Sequence, residues 1–167
     1  MTKFDPRKHH RRSIRKKGYD YSSPGKYYIT IDVNKNLHLF GYVKDGIMIK
    51  NDAGNMIEKW YFKVPEKFPD IRCHEMIIMP NHIHFIIENV GWLQGSAPTG
   101  VDTIIQWFKT MSTNEYIRGV KEKGWPRFIK KLWHRNFFDR IIRDERMLQN
   151  ITNYIINNPK KWNHDPL

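Results

Sequence analysis

The chain has 167 residues, which is long enough for one domain with a hydrophobic core. It has 29 Lys and Arg against 17 Asp and Glu, and the formal net charge of +12 predicts a polyanionic partner, either nucleic acid or an anionic membrane surface. No segment approaches the roughly 18 uninterrupted apolar residues of a membrane span, so we expect nucleic acid and no membrane partner.

Cysteine usage and the N-terminal residues indicate the cytoplasm. Cys73 is the only cysteine, which excludes an intramolecular disulfide and a Cys-rich zinc site. The N-terminus is charged and lacks the apolar stretch of a signal peptide. We therefore expect a protein of the reducing cytoplasm.

Residues 1–25 are predicted to form a basic N-terminal arm, and residues 26–167 a single domain. Such a cluster of basic residues suits a phosphate backbone, although a solvated tail has the same composition. The two tyrosines that follow the cluster either stack on unpaired bases or pack the arm onto the domain. The candidate DNA-binding residues of the arm are Arg11, Arg12, Arg15, Lys16, Lys17, Tyr19 and Tyr21.

Residue patterns predict strands before and between helices in the first half of the chain. Alternating and β-branched residues are typical of strands, and apolar residues at helical spacing are typical of a helix. In chain order we predict a strand over 27–33, a turn over 34–36, a short strand over 37–42, a hairpin tip at 44–46, a helix over 51–62 and a loop around Pro65 and Pro69.

For the second half of the chain we predict strands before and after a first helix, and then a second helix. Asp102 or Thr103 is the expected cap of the first of these helices, and Pro159 is expected to end the second at Asn157 or Asn158. A strand over 71–79 leads into the histidine stretch over 77–88, which Pro80 and Asn81 interrupt, so that it forms two short strands or one strand with a tight bend. The remaining elements are a loop over 91–100, a helix ending near Gly124, a strand over 137–142 and a helix starting at Asp144 or Glu145. This order predicts an α+β fold with a single antiparallel sheet and helices packed mainly on one face.

Two histidines stand out within the stretch Ile77–Glu88. Residues i and i+2 of a strand project from the same face, so His82 and His84 point the same way. Two adjacent imidazoles form half of a divalent metal site, although such a pair also occurs as ordinary half-buried polar residues.

The last predicted helix places Tyr154 and Asn158 one turn apart on one face. Taken alone, the tyrosine suits the edge of a core and the asparagine suits a helix end. With the histidine pair they form a coherent site, in which two imidazoles and an amide oxygen can bind Mg²⁺ or Mn²⁺. Tyr154 is then a candidate nucleophile toward phosphorus, and no residue is marked as the base that takes its proton.

Four stretches together resemble the HUH superfamily of single-strand endonucleases, in particular the REP-associated tyrosine transposases. The resemblance implies a ferredoxin-like fold with the histidine pair on a central strand. It implies metal binding by His82 and His84, Asn158 as third ligand and Tyr154 as covalent nucleophile. The stretches are Arg11–Arg15 with Gly18–Tyr21, Met79–His84, Trp133–Asp139 with Ile141–Glu145, and Tyr154–Pro159.

The resemblance implies a metal-dependent transposase that cuts and rejoins single-stranded DNA near palindromic hairpins through a 5′-phosphotyrosine. It also suggests a monomer, although a dimer stays open. An alternative is a domesticated protein that binds hairpin DNA without cutting it. A third reading, an RNA-binding domain, needs aromatic residues on the sheet face where this chain has histidines.

Overall fold

The computed structural model describes residues 15–93 and 97–162. Six strands, four α-helices and one 3₁₀ turn (Asn34–Asn36) make up this part of the chain. The elements are β1 (Gly25–Asp32), β2 (Gly41–Lys44), β3 (Ile47–Lys50), α1 (Asp52–Phe62), α2 (Val64–Lys67), β4 (Ile71–Met79), β5 (His82–Asn89), α3 (Val101–Lys123), β6 (Phe138–Ile142) and α4 (Glu145–Lys161).

Four strands form one antiparallel sheet in the order β4-β5-β1-β6. The histidine strand β5 lies at the centre, paired with β4 on one side and β1 on the other. β2 and β3 form a separate hairpin. The α+β class, the antiparallel sheet and the central position of the histidine strand are confirmed.

Helices cover both faces of the sheet, but unequally. Alternate residues of the central strands, such as Ile29, Ile31, Ile83 and Phe85, belong to the large core with α1 and α3. The opposite residues face α4, through a smaller cluster that contains Tyr28, Ile86, Ile151 and Ile155. As predicted, most of the helical packing is on one face, where α1 and α3 lie. α4 lies on the opposite face, which bears the histidines.

A local side chain explains where α1 begins, but none caps α3. Asn51 caps α1, because its Oδ1 accepts a hydrogen bond of 2.9 Å from the Gly54 backbone N–H. The predicted cap of α3 by Asp102 or Thr103 is wrong. α3 follows Gly100 without a side-chain cap, and the Asp102 carboxylate in its first turn pairs instead with the Arg15 guanidinium.

The predicted strand over 37–42 is also wrong in its bounds. Leu39 and Phe40 are buried, and both donate their backbone N–H to the Pro80 carbonyl, at 2.9 and 3.2 Å. β2 starts only at Gly41 because the positive-φ tip at Asp45 and Gly46 sets its register with β3. Where a loop was predicted around Pro65, the chain forms the short helix α2.

α4 continues to Lys161, although we predicted that it ends before Pro159. Proline removes one backbone donor and crowds the preceding turn. Asn158 and Pro159 are both buried, so tertiary packing offsets this local cost. The Trp162 backbone N–H closes the last turn on the Pro159 carbonyl. No helix in the described part of the chain is long and apolar enough to cross a membrane.

Candidate active site

The pairing of β1 with β5 positions the two histidines. Asp32 lies opposite His82, and Thr30 lies opposite His84. Both imidazoles therefore project from the face that α4 covers, and their ring centroids are 4.6 Å apart. His84 is buried and His82 is half-buried. The predicted side-by-side arrangement is present.

The inner nitrogen of His84 is held by two hydroxyl groups. The Tyr28 hydroxyl and the Thr30 Oγ1 each lie 2.8 Å from Nδ1. Hydroxyl groups donate and accept, so they satisfy Nδ1 in either tautomer of the neutral ring. Burial raises the pKa of Tyr28 to about 12, which keeps this phenol protonated at neutral pH. Nε2 is then the His84 nitrogen left to bind a ligand.

An amide orients His82 in a similar way. The Asn81 Oδ1 lies 2.6 Å from the His82 Nδ1. Because an amide oxygen only accepts, Nδ1 carries the hydrogen and Nε2 carries the lone pair. Partners on the inner nitrogens of both histidines are typical of metal-binding imidazoles, whose orientation depends on such contacts.

Burial keeps His84 neutral. It lowers the pKa of His84 to about 3, and repulsion from His82 acts in the same direction. A neutral imidazole is the form that binds a metal, so this side chain is ready to act as a ligand at neutral pH.

α4 brings the tyrosine and the asparagine to the histidines. The Asp144 side chain starts the helix by accepting a 2.7 Å hydrogen bond from the Met147 N–H. The Tyr154 ring centroid lies 5.6 Å from that of His84 and 6.5 Å from that of Tyr28. Tyr154 is 43% exposed, so its ring contacts the site while its edge stays accessible.

These side chains share one cleft of about 450 Å³. His82, His84, Tyr154 and Asn158 all line it, so the four predicted residues come together within one chain. Sequence reasoning missed the other lining residues, which are Thr30, Asp32, Asn36, Asn81, Lys161 and Trp162.

Two of the missed residues lie beyond the expected end of the helix. The Lys161 Nζ lies 5.4 Å from the Tyr154 ring centroid. The Trp162 ring centroid lies 6.0 Å from that of His82 and 5.4 Å from that of His38. Pro159 predicts an earlier end of the helix, so the sequence does not indicate that Lys161 and Trp162 lie at the cleft.

The two histidines of the cleft can form a three-ligand metal site only if the Asn158 amide supplies the third donor atom. Within residues 15–93 and 97–162, no group of three His, Cys, Asp or Glu side chains is placed to hold a metal ion. Asn158, which is buried at the wall of the cleft, supplies the third donor in the predicted set. Two imidazoles and an amide oxygen suit Mg²⁺ or Mn²⁺ with positions left for other oxygen ligands.

The described part of the basic arm packs against the domain. Tyr19 and Tyr21 lie edge to face at 5.0 Å between centroids, and both contact Tyr27. Of the two readings of these tyrosines, packing is the one the structure shows. Lys16 and Lys17 are exposed, and Arg15 is half-buried. Arg11 and Arg12 lie outside the described residues.

The sequence also did not indicate that the Lys109 ammonium holds the segment that follows α3. Lys109 on α3 donates to the His134 carbonyl at 2.8 Å, with the Arg135 and Asn136 carbonyls at 3.4 Å. Three carbonyl oxygens around one ammonium hold this segment beside the end of β1, where the His134 N–H donates to the Asp32 carbonyl.

The domain is an antiparallel α+β fold. Its candidate active site combines two histidines on a strand with one tyrosine and one asparagine on a helix. A family model described as "Transposase IS200 like" matches residues 47–158, a range that contains all four of these residues. The match covers more than half of the sequence. The chain therefore belongs to the IS200-like transposase family, and it is a transposase.

The chain is also similar to one protein sequence and to one solved structure. The chain is 36% identical over 175 residues to an uncharacterised protein of Haemophilus influenzae, covering 99% of this chain and 97% of that protein. It is also similar to the structure of a REP-associated tyrosine transposase bound to a REP hairpin, with a TM-score of 0.60 and 17% identity. That similarity covers 91% of this chain and 74% of the other, and it shows the fold.

The burial of His84 predicts a pH-dependent stability. The folded-state pKa of His84, about 3, lies below the unfolded value of about 6.5. Only the unfolded chain then gains this proton between the two values, so the stability is complete above pH 6.5 and falls toward pH 3. We expect a loss of about 2 kcal/mol from this group between pH 7 and pH 5. Urea unfolding in the presence of a chelator measures it.

The matched variants are His84→Gln, which removes the titrating group, and His38→Gln, which removes an imidazole at the rim of the site. We expect His84→Gln to be less acid-sensitive than the parent, and His38→Gln to behave like the parent. Equal acid sensitivity in all three proteins would show that His84 is not held neutral by burial.

Proposed function

We propose that this transposase cuts and rejoins single-stranded DNA beside a hairpin, with Tyr154 as the nucleophile. The observation that carries the proposal is the position of the Tyr154 ring, 5.6 Å from His84 in a cleft that also contains His82 and Asn158. A partly exposed phenol beside paired imidazoles suits attack on a substrate that enters from solvent.

The proposed step exchanges one phosphodiester bond for another. The Tyr154 phenol oxygen attacks phosphorus, the new oxygen–phosphorus bond forms, and the bond from phosphorus to the 3′-oxygen breaks. The phenol proton goes to solvent, and the 3′-oxygen takes a proton to become a hydroxyl group. Because the 5′-phosphotyrosine conserves the bond energy, another 3′-hydroxyl can reverse the step without ATP.

We propose that His82, His84 and Asn158 hold a divalent ion, Mg²⁺ or Mn²⁺, in the cleft. The support is the donor set: both imidazoles have their Nδ1 engaged, and Asn158 is buried at the cleft wall. When bound, such an ion neutralises charge on the scissile phosphate and polarises it. Tyr28, Thr30 and Asn81 orient the imidazoles.

The positive charge of Lys161 is a second aid to phosphate binding. Its ammonium lies above the Tyr154 ring and lines the same cleft. A cation beside the Tyr154 ring, in the same cleft, attracts the phosphate diester and stabilises the charge that develops during transfer. Trp162, which also lines the cleft, offers an aromatic face on which an unpaired base can stack.

Hairpin DNA is the proposed partner because a transposase of similar fold was solved with a REP hairpin. The net charge of +12 and the exposed Lys16 and Lys17 agree with a polyanionic ligand. Since Tyr154 meets the histidines within one chain, we propose that a monomer is sufficient for cleavage. The cytoplasmic location stays a prediction.

Tyr154→Phe tests the chemistry. Phenylalanine keeps the ring and removes the attacking oxygen, so we expect the covalent adduct with 5′- and 3′-labelled hairpin oligonucleotides to disappear. Hairpin affinity should stay within a few-fold, and stability within the 0.5–1.5 kcal/mol or so of one net hydrogen bond. Denaturing gels with Mn²⁺ show the adduct, and mass spectrometry identifies the modified peptide.

Tyr42→Phe is the matched control, because Tyr42 is 59% exposed and lies in the β2–β3 hairpin. It should form the adduct at the parent rate. An adduct that persists in Tyr154→Phe would refute the nucleophile. A parent protein that binds hairpins but forms no adduct would favour the binding protein without cleavage activity.

Asn158→Ala tests the metal site. Removing the amide oxygen should weaken Mn²⁺ binding by about tenfold or more, as removal of a ligand or of its support typically does. Titration calorimetry with Mn²⁺ measures this in the absence of DNA. Asn157→Ala, one residue earlier on α4 and outside the cleft lining, should bind Mn²⁺ like the parent. Equal affinities in the two variants would exclude Asn158 as a ligand.

The exposed lysines of the arm should determine part of the salt dependence. Replacing Lys16 and Lys17 by Gln should lower the slope of log affinity against log salt by about 1.4, because each phosphate neutralised on a single strand contributes about 0.7 to it. Fluorescence anisotropy at several salt concentrations measures the slope. Gln at the exposed Lys121 and Lys123 at the end of α3 provides the control. An unchanged slope in the arm variant would mean that these lysines do not bind phosphate.

A further inference from the structure

The active-site cleft contains one acidic side chain that the proposed chemistry leaves without a role. Among the described residues that line the cleft, Asp32 alone carries a carboxylate and Lys161 alone carries an ammonium group. Asp32 is exposed. A carboxylate in a cleft that receives a DNA phosphate is unfavourable by itself, because two negative charges repel each other. A cation bound in the same cleft would replace this repulsion by attraction to both groups.

Strand pairing fixes Asp32 beside the histidines. Asp32 lies opposite His82, and residues that lie opposite each other in a sheet project from the same face. The pair two residues earlier shows such a contact directly, because the Thr30 Oγ1 lies 2.8 Å from the His84 Nδ1. The Asp32 carbonyl also accepts a hydrogen bond of 2.8 Å from the His134 N–H, so its backbone is held on both sides. The carboxylate is therefore held next to the proposed metal ligands.

Asp32 does not form a direct ligand set with the two histidines. Among the described residues, no three His, Cys, Asp or Glu side chains are placed to hold one metal ion. Mg²⁺ usually keeps several of its water ligands when it binds to a protein, and a carboxylate accepts hydrogen bonds from such waters. A carboxylate beside the ligands, but not among them, suits binding to the ion through its waters.

A different role for Asp32 would be to balance the charge of Lys109. Burial lowers the pKa of Lys109 to about 8 and Lys131 acts in the same direction, whereas the negative charge of Asp32 raises it. The hydrogen bonds of the Lys109 ammonium go to the backbone carbonyls of residues 134–136, however, and the Asp32 carboxylate lines the cleft. Charge balance alone predicts that loss of Asp32 changes stability and leaves metal affinity unchanged, so the two roles can be separated.

We propose that Asp32 makes DNA binding in the cleft depend on the divalent ion. When an ion is bound, the carboxylate accepts hydrogen bonds from its water ligands. When none is bound, the carboxylate repels the DNA phosphate. Asp32 is thus a positioning residue, since it acts through the ion. The proposal rests on the proposed function in taking a divalent ion and a DNA phosphate as ligands of the cleft, but it does not depend on cleavage.

The proposal predicts two effects of opposite sign for one substitution. Asp32→Asn keeps the size of the side chain and removes its charge. It should weaken binding of the ion in the absence of DNA, and it should strengthen binding of DNA in the absence of the ion. A residue that only supports the fold would weaken both. Because coupling between two ligands is reciprocal, the variant should also reduce the factor by which each ligand improves the affinity of the other.

Titration of the full chain with Mn²⁺ in the absence of DNA is the first measurement. Electron paramagnetic resonance follows it, since the signal of the free ion decreases on binding. We expect Asp32→Asn to bind Mn²⁺ about tenfold more weakly than the parent, as loss of a group that supports metal ligands typically does. Asp32→Glu keeps the charge and should recover most of the affinity.

Hairpin affinity is measured next, by fluorescence anisotropy in a Tyr154→Phe background that excludes cleavage. In a chelator, Asp32→Asn should bind the hairpin about threefold more tightly, which is the scale of one exposed charge pair. At saturating Mn²⁺ the two proteins should bind the hairpin alike. Failure of the proposed chemistry at Tyr154 would leave these measurements unchanged, because the background lacks the attacking oxygen.

Asp52→Asn is the matched control, because Asp52 is exposed on α1, which packs on the opposite face of the sheet. It should change neither the Mn²⁺ affinity nor the gain in hairpin affinity with Mn²⁺. Equal shifts in both variants would assign the effect to net charge and overturn the proposal.

Three other results would also overturn it. If Asp32→Asn binds Mn²⁺ like the parent, the proposal fails while the proposed metal site stands. If Asp32→Asn binds both Mn²⁺ and the hairpin more weakly, Asp32 only supports the fold. A parent protein that binds no Mn²⁺ would refute the proposed metal site and this proposal together.

Discussion

The packing of α4 against the histidine face of the sheet is the interaction on which the site depends. Ile151 and Ile155 are buried against Tyr28 and Ile86, and they are the apolar residues that hold this helix in place. Tyr154 lies beside that apolar stripe, and Asn158 follows one turn later. Truncating any side chain in so small a cluster would loosen both residues together, since one rigid helix carries them.

The site is rigid on the sheet side and more accessible on the helix side. Two central strands, with their hydrogen-bonded register, hold His82 opposite Asp32 and His84 opposite Thr30. Tyr28, Thr30 and Asn81 then fix the imidazoles through their Nδ1 atoms. The Tyr154 ring is partly exposed. A set of proposed ligands that is held in place, facing a proposed nucleophile that is partly exposed, suits the requirements of phosphoryl transfer.

The basic and the aromatic residues of the arm differ in their surroundings. Lys16 and Lys17 are exposed, as the proposed phosphate binding requires, while Tyr19 and Tyr21 pack against Tyr27. Arg15 joins the arm to α3 through Asp102 and approaches β6 at Asp139. The arm is thus anchored at the edge of the sheet.

Much of this protein could be predicted from local patterns. Alternating and β-branched residues predicted the strand at Tyr27, and an apolar run rich in Ile and Phe predicted the strand at His84. The spacing of Met56, Ile57, Trp60 and Tyr61 predicted α1, because side-chain direction in a helix depends mainly on the local backbone. The two-residue period of a strand placed His82 and His84 on one face. The helical spacing of four residues placed Tyr154 and Asn158 on one face. The local rules failed at Pro159 and at residues 37–40, where burial outweighed intrinsic preference.

What only the tertiary structure decided is which distant residues meet. The amino-acid sequence alone indicated that the two histidines share a face, but not that Tyr28 and Thr30 hold His84, because that arrangement depends on the pairing of β1 with β5. It showed an acidic residue at 139, but not that the arm and the sheet bury its carboxylate without a partner for Oδ1 among the described residues. Strand pairing and helix docking join residues far apart in the chain, and no local pattern specifies them.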